Sequence, residues 1–170
     1  MAKDDLEELQ LYILGRINFV YADLKAHPQI KMTFKGGSGS DVEKLDKYVE
    51  SLTSIEKSKF LNKFREYLKY DAITECKMMF IINNLFALLI KSRNNQISIY
   101  ENDKIDKDML TSFAQENADT LTKIKNIRDK ISAHIDLDWV NYNKTIELEE
   151  IGRCINFLNG LLGIDAEDYR

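Results

Sequence analysis

Apolar residues recur every three to four positions along most of this chain, the period of a helix with one buried face. The first such stretch predicts a helix from about Asp4 to Lys25, with Leu6, Leu9, Ile13, Ile17, Val20 and Leu24 inward and acidic residues in its first turn. His27-Pro28, containing the one proline of the chain, closes it. A second helix is expected to start near Asp41, whose carboxylate can cap it, and to carry Val42, Leu45, Tyr48, Val49 and Leu52 on one side. Thr53-Ser54 marks a break. From Ser54 a longer pattern passes through Phe60, Leu61, Phe64, Tyr67 and Leu68, bends near Asp71, and enters the apolar run Met78 to Ile90, expected to be the most buried part of the protein.

The polar stretch Ser92 to Lys107 is assigned to a loop, although Ile97, Ile99 and Tyr100 briefly alternate. A further helix is predicted from about Lys107 to Ala133 through Leu110, Phe113, Leu121, Ile124, Ile127 and Ile131, with a break near Asn117 to Thr120. After a connector, the last helix runs from about Ile146 to Leu162, with Ile151, Cys154, Ile155, Leu158 and Leu162 inward and Gly163 as its stop. Strand-like alternation is nearly missing, so the expected fold is all-α: an up-and-down bundle of four to five helices in one domain, residues 1–170. Residues 35–40 (KGGSGS) form a flexible Gly/Ser loop. That loop lacks the Gly-Lys-Ser/Thr ending and the preceding apolar strand of a phosphate-binding loop.

Composition narrows the function. At 170 residues, 44% hydrophobic and 31% charged, the chain can bury a core of its own. A net charge of -4 and a pI near 5.3 argue against a general nucleic-acid coat or a membrane-surface protein, so any nucleic-acid role needs a local basic patch. The apolar run Met78 to Ile90 is 13 residues long and bounded by Lys77 and Lys91, whereas a bilayer span needs about 20, so no membrane segment is expected. Asn83 and Asn84 inside this run need amide partners, within the bundle or from a neighbouring subunit, the first being favoured. Cys76 and Cys154 have no paired spacing and no signal peptide ahead of them; they read as reduced, semi-buried structural residues of a cytoplasmic protein.

The chemistry concentrates in Arg128, Asp129, Lys130, Ile131, Ser132, Ala133 and His134, an R-x5-H run at the end of the fourth predicted helix. A permanent cation, an adjacent carboxylate and an imidazole that titrates near neutrality can together support acid/base chemistry on a phosphodiester. On an uninterrupted helix, six residues at about 100° each leave Arg128 and His134 roughly 120° apart. Convergence therefore requires the helix to end at Ala133-His134, or a two-fold partner to bring matching groups across. On spacing alone a structural reading is favoured over this one: His134 extends the apolar stripe of Ile124, Ile127 and Ile131, and Arg128 pairs with Asp129, Asp136 or Asp138. Lys123, Lys125 and Lys130 either add local positive charge or form a solvated face. Trp139 and Tyr142 either stack on a base or pack the connector, packing being favoured. His134 with Asp136 and Asp138 is a poor metal set, since no further histidine or cysteine lies nearby, and no metal or cofactor is assigned. His27 reads as a helix-end residue, and Glu147, Glu149 and Glu150 suit the start of the last helix.

The run from Ile127 to Asp136 resembles the signature of the HEPN superfamily, most closely its abortive-infection branch with the pattern R-[ND]-K-x-x-A-H-x-D. About ten residues carry the resemblance, set in a similar all-helical layout. It implies a small helical bundle that forms a homodimer, unites two R-x4-6-H motifs and cuts RNA without metal, as a toxin or in phage defence. His134 is then the general acid/base, Arg128 stabilises the charged transition state and Asp129 orients either one. The implied partners are an RNA substrate and a neutralising antitoxin. In toxins silenced by a nucleotidyltransferase a tyrosine lies two residues after the histidine, whereas this chain has Asp136. The alternative expectation is a catalytically silent HEPN-like module for dimerisation or for binding RNA or protein.

Overall fold

The protein's computed structural model describes residues 3–26, 32–35, 47–91, 95–129 and 143–165. In chain order these form α1 (Lys3–Lys25), β1 (Met32–Lys35), a helical segment at 47–51, α2 (Ser54–Leu89), a 3-10 turn (Ile99–Glu101), α3 (Lys107–Glu116), α4 (Ala118–Ile127), β2 (Asn143–Ile146) and α5 (Leu148–Leu162). Helix dominates, as the periodicity predicts. His27-Pro28, the start of the second predicted helix, the loop beyond Lys35 and the connector from Lys130 to Tyr142 lie outside the described residues.

Thr53 ends the segment before it and opens α2. Its hydroxyl accepts from the Glu56 N–H while the Glu56 carboxylate accepts from the Thr53 N–H, a reciprocal cap that satisfies two otherwise unpaired donors. From there α2 is one continuous helix across Asp71. Its second half supplies the centre of the core, with Met78, Ile81, Ile82, Leu85, Leu88 and Leu89 buried. Asn84 satisfies its amide on its own helix, donating to the Phe80 carbonyl at 2.7 Å.

α1 packs against α2 and α5, and it runs antiparallel to both. Asp23, near the end of α1, pairs with Lys77 in the second half of α2, whereas Gln10, nearer its start, reaches Ile97 and Ser98 beyond the end of α2. The buried stripe of α1 is Leu6, Gln10, Leu14, Ile17, Asn18 and Leu24, while Leu9, Ile13 and Val20 are only half-buried. It therefore differs from the stripe drawn through apolar residues alone, because two amides take inward positions. Gln10 donates to the Ile97 and Ser98 carbonyls and accepts from Asn102 at 2.9 Å. These bonds dock the segment after α2, and Ser98, Ile99 and Asn102 are buried there. The expected loop is thus a packed turn. Asn95 completes it by donating to the Ala87 and Ile90 carbonyls at the C-terminal end of α2, two acceptors that the helix itself leaves open.

The break expected near Asn117 is present. Asn117 adopts φ -113° and ψ 23°, outside helical geometry, and separates α3 from α4. Phe113 of α3 stacks on Phe157 of α5 with centroids 3.7 Å apart. α4 buries Thr120, Leu121, Ile124 and Ile127 and packs on α2 and β2. α5 buries Ile151, Cys154, Ile155 and Leu158 and stops at Gly163, whose φ of 67° is left-handed and favours glycine.

One feature lies outside the all-helical expectation. β1 and β2 pair antiparallel, with Met32 opposite Ile146 and Lys35 opposite Asn143. Four residues per strand is too short for alternation to stand out in a sequence. The pair extends to Lys35, the first residue of the expected Gly/Ser loop, and replaces the predicted start of the last helix with β2, whose Ile146 is buried in the core.

Candidate functional site

α4 leads directly into the R-x5-H run. The Arg128 N–H bonds to the Ile124 and Lys125 carbonyls, and Arg128 and Asp129 then follow a wider π-type winding. Ile124 and Ile127 anchor the end of α4 in the core, which brings Arg128 over α2.

The Arg128 guanidinium carbon lies 4.6 Å from the centre of the Phe86 ring, within the range of a cation–π contact. Its Nη1 donates to the Asp129 carboxylate at 2.9 Å. The two side chains are 37% and 41% exposed, so the pair borders solvent. Among the described residues Asp129 is the one hydrogen-bond partner of this guanidinium, and five N–H donors leave capacity for an anion. Arg128 and Asp129 are thereby paired, an ion pair that the structural reading of the run expects as much as the catalytic one. His134 lies outside the described residues, as do Lys130, Asp136, Asp138, Trp139 and Tyr142.

Lys123 contributes less positive charge than its place in the sequence suggests. Its ammonium donates to Glu150 of α5 at 2.6 Å. Burial pushes the Glu150 carboxyl up, but hydrogen bonds from Lys123 and the Glu147 N–H, the Lys123 charge and the Thr120 hydroxyl outweigh it and hold the group below the usual glutamate value. Glu150 also accepts from the Glu147 N–H at 2.9 Å at the start of α5, consistent with a structural role for these acidic residues. The pair lies in a polar cleft of about 480 Å³ that also includes Thr120, Asn126 and Arg153. Arg128 and Asp129 do not line it. Lys125 is exposed.

Among the described residues no group of three or more His, Cys, Asp or Glu side chains is arranged to hold a metal ion. None of the helices there is long and apolar enough to cross a membrane. Neither cysteine is half-buried as expected: Cys154 faces the core on α5, and burial pushes its thiol up to about 12, whereas Cys76 is exposed on α2. Comparison with family models, with curated proteins and with solved structures finds no match for this chain.

Phe86 was hidden from sequence reasoning, because it sits in the apolar run Met78 to Ile90 and looks like any other core residue there. What distinguishes it is its half-exposed place beside the buried Ile82, Leu85 and Leu89, which requires knowing the packing.

Proposed function

We propose that this protein is a metal-independent endoribonuclease of toxin or phage-defence type, with a HEPN-like bundle and a composite R-x5-H site formed by a homodimer. The observation that carries this reading is the Arg128 guanidinium, partly exposed, held by Phe86 and Asp129 at the head of the R-D-K-x-x-A-H-x-D run. With Nη1 engaged by Asp129 and the side chain partly exposed, other donors of this guanidinium remain for a phosphodiester. The reading further assigns a cytoplasmic location, an RNA substrate and a neutralising antitoxin.

The chemistry follows from the residue types. One imidazole of the His134 pair takes the proton of a ribose 2'-hydroxyl, and the 2'-oxygen attacks the adjacent phosphorus. The 5'-oxygen leaves and takes a proton from the other imidazole, which yields a 2',3'-cyclic phosphate and a 5'-hydroxyl. Arg128 stabilises the extra negative charge on the phosphoryl oxygens as it develops, and Asp129 orients the guanidinium.

The test is cleavage of synthetic RNA in excess chelator by wild type, Arg128→Ala and His134→Ala, each checked for folding. Wild-type cleavage ending in cyclic phosphate is expected, with losses of about 10²- to 10⁴-fold for His134→Ala. Undiminished cleavage by His134→Ala would sink the assignment. Binding of RNA or protein by a folded but inactive wild type would instead identify a silent module.

A further inference from the structure

Phe86 projects from the half of α2 that supplies the centre of the core. Ile82, Leu85 and Leu89 around it on α2 are buried in the core, so the helix cannot shift without disturbing the packing. The Phe86 ring is only half-buried, and Arg128, at the C-terminal end of α4, covers it with the guanidinium carbon 4.6 Å from the ring centre. At the same time Asp129 accepts from Nη1 at 2.9 Å. Arginine is a long side chain whose freedom is costly to restrict on forming a transition state. Here two contacts of different kinds, a ring and a carboxylate, restrict it in advance and leave donors exposed.

We infer that Phe86 is a positioning residue for Arg128 in RNA cleavage, its ring holding the guanidinium ready for the phosphoryl group. This inference rests on the nuclease reading. The ring acts through its negative face, which attracts the cation, and not through its bulk. A guanidinium already in place gives its stabilisation without reorganising as charge develops. The same helix provides a comparison: Phe80 also carries an arginine, Arg16, with the guanidinium carbon 5.2 Å from its ring centre, but that arginine belongs to α1 and lies outside the motif.

The experiment replaces Phe86 by Leu, by Tyr and by phenylalanines of increasing ring fluorination, which weaken the negative face with little change of shape. Phe80→Leu serves as the control for loss of an aromatic from α2. Two readouts are taken on each folded protein: single-turnover RNA cleavage in chelator, and the NMR signal of the Arg128 side-chain Nε–H, assigned by its loss in Arg128→Lys. The wild-type signal should show the upfield ring-current shift. Phe86→Leu should abolish that shift and slow cleavage roughly 3- to 30-fold, the range of a cation–π contact. Phe86→Tyr should retain both, fluorination should lower the rate stepwise, and Phe80→Leu should cleave as wild type. An Arg128 signal indifferent to residue 86 would overturn the inference, as would cleavage indifferent to fluorination. Failure of the nuclease reading looks different: no protein cleaves, the positioning role falls with it, and the Arg128 signal still reports the contact.

Discussion

Asn18 of α1 and Asn159 of α5 exchange side-chain hydrogen bonds in the buried contact between their helices. Asn18 Nδ2 donates to Asn159 Oδ1 at 2.7 Å and Asn159 Nδ2 donates back to Asn18 Oδ1 at 3.0 Å. Asn18 makes a second bond, to the Leu14 carbonyl. Both residues are only 5% exposed, so neither amide has ready access to water as a substitute. The pair fixes the register of α1 on α5 at one point, since a slip in either helix would strand two amides in an apolar core.

Removing both amides should therefore cost less than the two removals taken separately would add up to. Asn18→Leu and Asn159→Leu are each expected to destabilise by about 1–3 kcal/mol, because the remaining partner keeps its desolvation penalty. The double variant should lose less than the sum of the single losses. Urea unfolding of the four proteins gives the coupling directly, and strictly additive losses would show that the two bonds act independently.

The Lys123–Glu150 pair predicts a pH dependence with a defined sign. The Glu150 carboxyl lies below its usual value in the folded protein, so its contribution is fully present above the ordinary glutamate range and is lost as pH falls through the folded value. In Lys123→Met, burial remains while the ammonium and its hydrogen bond are gone, so the carboxyl should rise. The variant should lose about 1–2 kcal/mol at neutral pH, a moderate figure because the lysine is a third exposed and partly screened. That difference should shrink on acidification and vanish well below the glutamate range. Thermal or urea unfolding from neutral to acid pH measures it, and a pH-independent difference would show that lost packing, not charge, is responsible.

Much of the helical layout is legible in the sequence for a physical reason: burying one face of a helix imposes a period that survives in the residue types. The Thr53 cap, the Asn117 break and the Gly163 stop are legible too, because each depends on a side chain or a backbone state that few residues provide. Gln10, Asn18 and Asn159 are not. Their inward placement depends on partners 87 or more residues away, so a pattern of apolar positions counts them as surface. The β1–β2 pairing is hidden for the same reason, as Met32 meets Ile146 only in the folded chain. Of the candidate site, Arg128 and Asp129 are nominated by their neighbours in sequence, whereas the role of Phe86 comes from a contact between α2 and the end of α4.

The two cysteines should behave as different chemical species. Cys76 is exposed, whereas Cys154 is buried and its thiol is pushed up to about 12, so it offers almost no thiolate near neutral pH. Titration of the native protein with an aromatic disulfide reagent is expected to give one fast thiol, and the denatured protein two. Cys76→Ser should abolish the native reaction. A fast reaction persisting in that variant would show that the α5 core opens on the time scale of the assay.

Two glycines of α5 should respond oppositely to the same substitution. A Cβ on Gly152 would fall 2.2 Å from the Tyr21 hydroxyl oxygen and 3.1 Å from the ring carbon that bears it, whereas a Cβ on Gly160 would meet nothing within 4 Å. Tyr21 has little room to yield, since its hydroxyl donates to the Leu148 carbonyl at 3.3 Å across the α1–α5 contact. Gly152→Ala is therefore expected to destabilise by about 1–3 kcal/mol through overpacking. Gly160→Ala on the exposed side should stabilise by about 0.4–1 kcal/mol, because alanine loses less backbone freedom on folding. Tyr21→Phe combined with Gly152→Ala should recover part of the loss by removing the nearest atom. Unfolding free energies of these variants decide the point. A stable Gly152→Ala protein would mean that the Tyr21 ring swings aside and gives up its bond to the Leu148 carbonyl at low cost, so that this hydroxyl does little to hold α1 on α5.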